Sequence, residues 1–534
     1  MRLIPSCFTS LRIGSLALAA ACGLLALSAP IAAASAAETP WQYKVDPWVL
    51  ETAARGATEF LVILENQADL SSADTMASKE ARGRYVFERL RETAAATQPT
   101  VLAELAALDA ETKPFWIANM IWVRGDQDIA EAMARRSDVH RVSANPWVEM
   151  DTEAFDRNAR TPDGACPPGD VEAGIDHTGA PAFWAAGFDG SGAVVGGQDT
   201  GYDWEHEALQ TQYRGWNGSE ADHNYNWHDS IHSGGGVCGA DSPFPCDDHG
   251  HGTHTAGTMV GTSGASMIGM APGAEWIGCR NMDQGNGTPA TYSECFEFFL
   301  APTDSNGINP NPAMAPDVIN NSWGCPPSEG CTDPNVMRLV VENVRTAGIV
   351  VVVSAGNSGS SCSSVNWPAS IYDASFTVGA TTVSDTIASF SSRGPVTVDG
   401  SNRLKPDISA PGVSVCSSFP GDTYGSISGT SMAGPHVAGL VALLISAQPC
   451  LRGQVDLIEQ YILDTAQPLT TSQTCGGIAG SEVPNNTFGH GGIRAVIPGP
   501  EVCFGGTIFA DGFESGDIFG WSGESAGRRP VAGR

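Results

Sequence analysis

Short apolar runs alternate with longer periodic stretches from about residue 169 onward, and glycines lie at the junctions. The runs "GAVVGGQDTG", "PDVINNSWG" and "IVVVVSAGN" have the composition of buried strands that end in small-residue turns. "VMRLVVENVRTAG" has the pattern of a helix. Buried strands that alternate with helices predict an α/β fold, with a parallel sheet covered by helices on both faces. Functional groups collect beyond the carboxyl ends of such strands, where Asp199 and Asn357 lie.

Residues 38–155 have a different pattern, which predicts a small α+β domain. A strand is expected at Phe60–Leu64, a helix from Ser78 to about Asp109 and a second strand over Phe115–Val123. Asp126 is placed to cap a short second helix, and "VHRVSANPWVEM" predicts a final strand. The polar stretch at 156–168 predicts a linker, because prolines and glycines interrupt it.

The first 37 residues have the layout of a secretory signal peptide. Arginines precede an apolar run over Ile13–Ala29, and small residues follow it, so cleavage is expected after Ala37. A membrane anchor is the alternative, but the run is short and Pro30 interrupts it. Anchoring through a lipid on Cys22 is a weaker alternative, since apolar residues continue past that cysteine.

Cysteine content agrees with export, and net charge limits the classes of partner. The chain has 14 cysteines, and none lies between residues 38 and 165. The 12 that follow form an even set, which predicts disulfides in an exported protein. Short loops favour Cys238–Cys246 and Cys325–Cys331 as pairs. The net charge of −31 argues against partners that are nucleic acids or anionic membranes.

The segment "DDHGHGTHTAGT" holds three histidines, His249, His251 and His254, and raises two possible chemistries. Histidine is a common metal ligand and a common general base. Catalytic zinc helices usually have the spacing H-E-x-x-H, whereas this segment has H-G-T-H and lacks the glutamate. A metal site is therefore disfavoured, and a general base needs an acid and a nucleophile elsewhere in the chain.

Ser431 in "SGTSMAGPHVAGLVALL" is the candidate nucleophile. Val437, Leu440, Val441 and Leu444 follow the i, i+3, i+4, i+7 spacing of an amphipathic helix, and Ser431 lies at its beginning. Amide N–H groups at a helix N-terminus favour developing negative charge. Serine is also a common helix cap, and Asp199 could be an ordinary turn aspartate, so neither motif is decisive alone.

Together, "DTG", "HGTHTAG" and "GTSMAGPHVAG" in this order resemble the subtilisin-like serine proteases, the S8 peptidase family. The resemblance extends over about 176–496 and implies a catalytic domain at 169–497. Within the family the chain is most similar to the bacillopeptidase F-type branch. Residues 38–155 are similar to the inhibitory propeptides of the family, and a glycine-rich tail follows at 498–534.

The resemblance implies a role for each matching residue. Ser431 is the expected nucleophile, His251 the general base and Asp199 the residue that orients the histidine. Asn357 matches the oxyanion donor. The expected substrate-binding residues are Ser322, Trp323, Gly324 and, at the floor of the S1 pocket, Asn366. No cofactor is expected for catalysis and no metal in the active site, while the acidic insertion at 220–248 is a candidate for structural calcium.

The resemblance also implies a self-processed, secreted serine endopeptidase, either extracellular or in transit through the periplasm. Its partners would be protein or peptide substrates and its own propeptide in cis, with no nucleic acid and no membrane after signal removal, and it would be a monomer. A catalytically silent binding protein and an esterase are the alternatives. The "NSWG" edge favours peptides, because it offers backbone hydrogen bonds to an extended chain.

Overall fold

Seven strands form one sheet in which every neighbouring pair is parallel. The computed structural model describes residues 40–150, 160–161, 170–264 and 266–504. The predicted signal peptide lies outside these ranges, as do most of the predicted linker and of the tail. The described strands, in chain order, are β1 Thr58–Leu64, β2 Glu111–Phe115, β3 Met120–Gly125, β4 Val139–Ala144, β5 Val148–Glu149, β6 Arg160–Thr161, β7 Val194–Asp199, β8 Trp227–Asp229, β9 Thr262–Ser263, β10 Ser266–Met267, β11 Glu275–Arg280, β12 Met282–Asp283, β13 Asn286–Gly287, β14 Val318–Asn321, β15 Val350–Ser354, β16 Phe376–Thr381, β17 Ile408–Pro411, β18 Val415–Phe419 and β19 Thr423–Ile427.

The parallel sheet has the order β17-β16-β15-β14-β7-β11-β8, with helices on both faces. The described helices are α1 Pro47–Ala53, α2 Lys79–Ala107, α3 Gln127–Arg135, α4 Ala173–Thr178, α5 Ala180–Ala185, α6 His251–Val260, α7 Pro289–Leu300, α8 Arg338–Thr346, α9 Thr430–Ala447 and α10 Val455–Asp464. α6 and α9 pack on one face, and α7 and α8 on the other. The predicted α/β class with a doubly covered parallel sheet is confirmed.

Helix α9 differs from its prediction. It is buried on nearly all sides rather than amphipathic, because it crosses β14, β15 and β16 and also contacts α6. Among the described residues it is the one helix with the length and apolar composition to cross a membrane, and 83% of that stretch is buried in the protein. Its hydrophobicity is thus explained by its place in the core.

The N-terminal segment forms a four-stranded antiparallel sheet in the order β2-β3-β1-β4. Ser78 and Asp126 cap α2 and α3 through their side chains, so both predicted helices begin where expected. The single strand predicted over Phe115–Val123 is wrong. The chain turns after β2 and returns as β3, and Asn119 adopts a positive φ of 41° at that turn.

Five disulfides link described cysteines, and both predicted short bridges are among them. The others are Cys279–Cys295, Cys362–Cys475 and Cys450–Cys503. Cys362–Cys475 joins residues 113 positions apart, so it connects the loop after β15 to the segment that follows α10. Such long-range pairs cannot be deduced from spacing.

The N-terminal sheet and α2 pack against α7 and α8 of the larger domain. Lys79, at the first position of α2, donates to Asp317 at 2.7 Å and to the backbone carbonyl groups of Ala315 and Pro316. Both charged side chains are buried, with 8% and 3% of their surface exposed. Asp317 also accepts a hydrogen bond from the backbone N–H of Val194, at the beginning of β7. A buried ion pair therefore ties the N-terminal segment to the central sheet.

We expect Lys79→Ala to lower the free energy of unfolding by about 3 kcal/mol, because the buried carboxylate of Asp317 then loses the positive charge of the lysine. Arg89→Ala is the matched control on the same helix, since the Arg89–Glu92 pair is exposed and should contribute about 0.5 kcal/mol or less. Denaturant unfolding of the full chain, carrying Ser431→Ala to exclude the self-processing that the resemblance implies, measures both. Equal effects of the two substitutions would contradict this account.

Candidate active site

The carboxyl end of β7 and the first residue of α6 meet in a buried hydrogen bond. His251 Nδ1 lies 2.7 Å from Asp199 Oδ1, and the two side chains are 4% and 1% exposed. The close approach of strand and helix requires Gly252, because a Cβ there would lie 2.0 Å from the carbonyl oxygen of Gly201. The "HGT" sequence thus places the imidazole ring directly beside the carboxylate.

Asp247 fixes where α6 begins. Its carboxylate accepts hydrogen bonds from the backbone N–H groups of Gly250 and Thr253, at 2.7 and 3.0 Å. It also accepts from the hydroxyl of Thr200, the residue after Asp199, at 2.9 Å. The same carboxylate therefore satisfies amides at the helix N-terminus and holds the end of β7 against it.

Ser431 is the second residue of α9, which agrees with its predicted position at the start of the helix. Its Oγ lies 3.4 Å from the carbonyl oxygen of Ser322. Pro435 has no N–H to donate to the carbonyl of Ser431 four residues earlier. The hydroxyl of Ser322 donates to that carbonyl instead, at 3.1 Å, which ties the start of α9 to the segment after β14.

A cavity of about 30 Å³ lies at the N-terminus of α9. Ser431, Asn357, Thr430, Ser354 and Gly356 contribute to its lining. The amide oxygen of Asn357 accepts from both the backbone N–H and the hydroxyl of Thr430, each at 2.9 Å. The NH₂ group of Asn357 is the part of this side chain left to face the cavity.

The predicted substrate-binding residues Ser322, Trp323 and Gly324 all line this cavity. The predicted Asn366 does not belong to the lining, and its neighbour Trp367 does. The ring of Trp367 lies on Gly324, where an added Cβ would be 2.3 Å from the ring. The Oδ1 atom of Asn366 is buried without a hydrogen-bond partner among the described residues.

Sequence reasoning missed the strand β13, which brings another segment of the chain to this cavity. The strand β5 of the N-terminal segment pairs with it in antiparallel register, Val148 with Gly287 and Glu149 with Asn286. The backbone N–H of Met150 donates to the carbonyl of Gly285 at 2.8 Å. Glu149 and Met150 also line the cavity beside Ser431. The glycines of "QGNG" were the available signal, since they mark a segment that another backbone can approach closely.

The other two histidines of the motif occupy different environments. His254 is fully buried and its Nε2 lies 3.1 Å from the carbonyl oxygen of Val415. Burial lowers the pKa of His254 to about 3, so this ring stays neutral at ordinary pH. The ring of His249 lies beside that of His251, with 6.4 Å between the ring centres.

The described residues contain no group of three His, Cys, Asp or Glu side chains arranged to hold a metal ion. In the acidic segment at 220–248, Asp229 and Asp248 instead pair with the guanidinium group of Arg280. Arg280 is fully buried and also donates to the backbone carbonyl groups of Gly235 and Gly239. The arginine thus supplies the positive charge that balances these two carboxylates. The described residues of the segment offer no set of ligands for the predicted calcium ion.

Comparison with known proteins gives the family. The profile of the Subtilase family matches residues 190–491, more than half of the sequence. The chain belongs to the subtilase family. The resemblance predicted from the three motifs is therefore confirmed, and the matched region contains the site built from Asp199, His251, Ser431 and Asn357.

Curated relatives agree with this assignment. Bacillopeptidase F of Bacillus subtilis (strain 168) is 36% identical over 471 residues, which is 82% of this chain and 31% of that protein. Subtilisin E of the same strain is 34% identical over 282 residues, 52% of this chain and 62% of that protein. Subtilisin BL of Lederbergia lenta is 32% identical over 312 residues, 58% of this chain and 96% of that protein. The chain thus spans less than two thirds of the first two relatives.

Proposed function

We propose that this chain is a secreted serine endopeptidase that hydrolyses peptide bonds through an acyl-enzyme. The observation that supports this most is the buried hydrogen bond between His251 and Asp199, in a site with a serine at a helix N-terminus beside a cavity. Membership of the subtilase family supports the same reaction class.

In this proposal Ser431 Oγ attacks the carbonyl carbon of the peptide bond, and His251 Nε2 accepts the hydroxyl proton. Asp199 holds Nδ1–H, which fixes the tautomer that leaves Nε2 free to act as base and stabilises the imidazolium that forms. His251 then donates the proton to the leaving amine. Water repeats the sequence on the acyl-enzyme, releases the acid product and restores Ser431.

The oxyanion that forms in the first step needs donors that are already in place. Asn357 fits this role, because Thr430 holds its amide oxygen and leaves its NH₂ group toward the cavity. The backbone N–H of Ser431, in the first turn of α9, is a second donor, and the helix dipole favours the negative charge.

Peptides fit the cleft better than small esters, because two backbone edges face an extended chain. One edge is β13 and the other is the segment Ser322–Gly324. The pairing of β5 with β13 provides an internal example of how a substrate backbone would bind. An esterase would have no use for these edges.

We further propose that residues 38–155 are an inhibitory propeptide, and that residues 1–37 direct export. Polar contacts support the docking of this segment on α7, where Lys113 pairs with Glu294 and Glu297 accepts a hydrogen bond from the backbone N–H of Ile117. β5 then covers the cleft up to Met150. A segment that fills the cleft in this way would block substrates until the enzyme cuts it.

The first prediction from this proposal concerns the nucleophile. Ser431→Ala should abolish casein hydrolysis, because no other hydroxyl replaces Oγ in the acyl-enzyme. EDTA should not inhibit the wild-type active site, and a serine-directed phosphonate should. Casein turnover by Ser431→Ala, together with loss of turnover when zinc is removed, would favour the metal chemistry first raised by the three histidines.

The second prediction concerns the oxyanion. Asn357→Ala should lower kcat by about 10²–10³ with little change in KM, because the donor acts mainly in the transition state. Thr430→Val, which removes one of the two hydrogen bonds that hold Asn357, should lower kcat in the same direction by less. Steady-state kinetics on a peptide substrate measures both variants, and an unchanged kcat for Asn357→Ala would remove it from this role.

The third prediction concerns processing. N-terminal sequencing of the secreted wild-type enzyme should find a new terminus between Met150 and Cys166, since β5 brings Met150 to the cavity beside Ser431. Ser431→Ala should accumulate as the uncut chain beginning at Glu38. A mature wild-type enzyme that still begins at Glu38 would show that the segment is a permanent domain.

A further inference from the structure

Three amide side chains form a buried ladder across the central sheet. They belong to Gln198 on β7, Asn321 on β14 and Asn281, which follows the last residue of β11, and all three residues are fully buried. Asn281 Nδ2 donates to Gln198 Oε1 at 2.9 Å, and Gln198 Nε2 donates to Asn321 Oδ1 at 2.7 Å. Asn321 Nδ2 donates in turn to the backbone carbonyl of Val352, on β15, at 2.8 Å. The ladder thus joins four neighbouring strands of the sheet.

The ladder lies on the face of the sheet opposite to that of Asp199. A Cβ at Gly196, two residues before Gln198, would lie 3.0 Å from the ring of Phe299 on α7. Side chains two residues apart on a strand share a face, so Gln198 points to the α7 side. Asp199 points the other way, to His251 on α6. Gln198 therefore does not touch the reacting groups, and its effect on them passes through the backbone.

Each end of the hydrogen bond between Gln198 and Asn321 is next to a residue of the candidate active site. Gln198 immediately precedes Asp199, and Asn321 immediately precedes Ser322. The carbonyl oxygen of Ser322 lies 3.4 Å from Ser431 Oγ, and its hydroxyl donates to the carbonyl of Ser431 at 3.1 Å. The two amide residues are also register partners, at the last pair of β7 with β14. One side-chain hydrogen bond therefore links the strand of the proposed acid to the segment that holds the proposed nucleophile.

Stability alone does not account for three buried amides. Strands in the middle of a parallel sheet are usually apolar, and apolar side chains of similar volume would be about as stable here. A buried amide destabilises the fold wherever one of its atoms lacks a partner, and Asn281 Oδ1 has none among the described residues. Amides provide direction, which apolar side chains do not, because a hydrogen bond restricts both the distance and the angle between two strands.

We propose that Gln198 is a positioning residue for the reaction of this site. Through Asn321 it sets the separation between the end of β7 and the segment after β14, and so aligns Ser431 with His251. The inference rests on the proposed protease function and adds a residue that does not touch the substrate. Because a small displacement of a reacting group slows a reaction strongly, loss of the ladder lowers kcat. KM changes little, because Gln198 does not line the cavity.

Gln198→Met tests this in the mature enzyme, since methionine keeps the length of the side chain and cannot make the two amide hydrogen bonds. Steady-state kinetics on a peptide substrate should show kcat lowered roughly tenfold and KM within about twofold of wild type. Titration of the active sites with a serine-directed phosphonate counts the folded enzyme, so that kcat refers to folded molecules alone. An unchanged kcat would overturn the proposal.

Ile408→Ala is the matched control, because it removes buried side-chain atoms from β17, at the far edge of the same sheet. It should lower the melting temperature, as any cavity in the core does, and leave kcat unchanged. An equal fall of kcat in Ile408→Ala and Gln198→Met would show that general loosening of the sheet explains the effect, and it would overturn the positioning role.

A triple variant decides the matter even if Gln198→Met does not fold. Gln198→Met, Asn281→Leu and Asn321→Leu together remove the whole ladder, so no amide of the ladder is left unpaired and the melting temperature should be close to that of wild type. kcat should still fall, which a purely structural role of the ladder does not produce. A triple variant with the kcat of wild type would overturn the proposal.

Peptide hydrolysis by the wild-type enzyme, compared with Ser431→Ala, tests the protease function separately. A wild-type enzyme without activity would refute that function. An active wild-type enzyme whose ladder variants are equally active would refute the positioning role of Gln198 alone.

Discussion

The hydrogen bond between His251 and Asp199 is the constraint on which the rest of the site depends. A buried carboxylate and a buried imidazole are costly to remove from water unless each satisfies the other. Their 2.7 Å contact requires the end of β7 to be placed relative to the start of α6 with a precision of a fraction of an ångström. Asp247 and Gly252 achieve this, the first through hydrogen bonds to both elements and the second by its missing side chain.

The same sheet also fixes the position of Ser431. Helix α9 lies in the core against β14, β15 and β16, so its position is set by packing over most of its length. Only the N-terminal turn of α9 reaches the site. There the hydroxyl of Ser322 donates to the carbonyl of Ser431, in place of the N–H that Pro435 lacks. The segments after β14 and β15 supply Ser322 and Asn357, as expected for the carboxyl edge of a parallel sheet.

Local signals in the sequence predicted much of this arrangement. The caps at Ser78 and Asp126 gave the starts of α2 and α3, and strand composition placed Asp199 and Asn357 at the carboxyl edge of the sheet. The hairpin around Asn119 was missed because apolar residues continue through the turn, so hydrophobicity alone gave one strand. The all-round burial of α9 depends on neighbours far away in the chain, which a periodic pattern does not include.

The features that the sequence analysis did not give are products of tertiary contact. β13 is two residues long, and its pairing with β5 joins positions more than 130 residues apart. Trp367 enters the cavity lining because it lies on Gly324, and nothing near it in the chain indicates that contact. The ion pair of Lys79 with Asp317 likewise appears only when the N-terminal segment is docked.

The central claim is that the Asp199–His251 pair activates Ser431 as a nucleophile. Mass spectrometry after reaction of the mature enzyme with a fluorophosphonate tests it most directly, because the reagent marks an activated serine covalently. The account predicts that Ser431 is the one residue labelled. It also predicts a much slower labelling of Ser431 in a His251→Ala variant whose N-terminal segment has been removed by added wild-type enzyme. Labelling of a different serine, or labelling of Ser431 at an unchanged rate without His251, would contradict it.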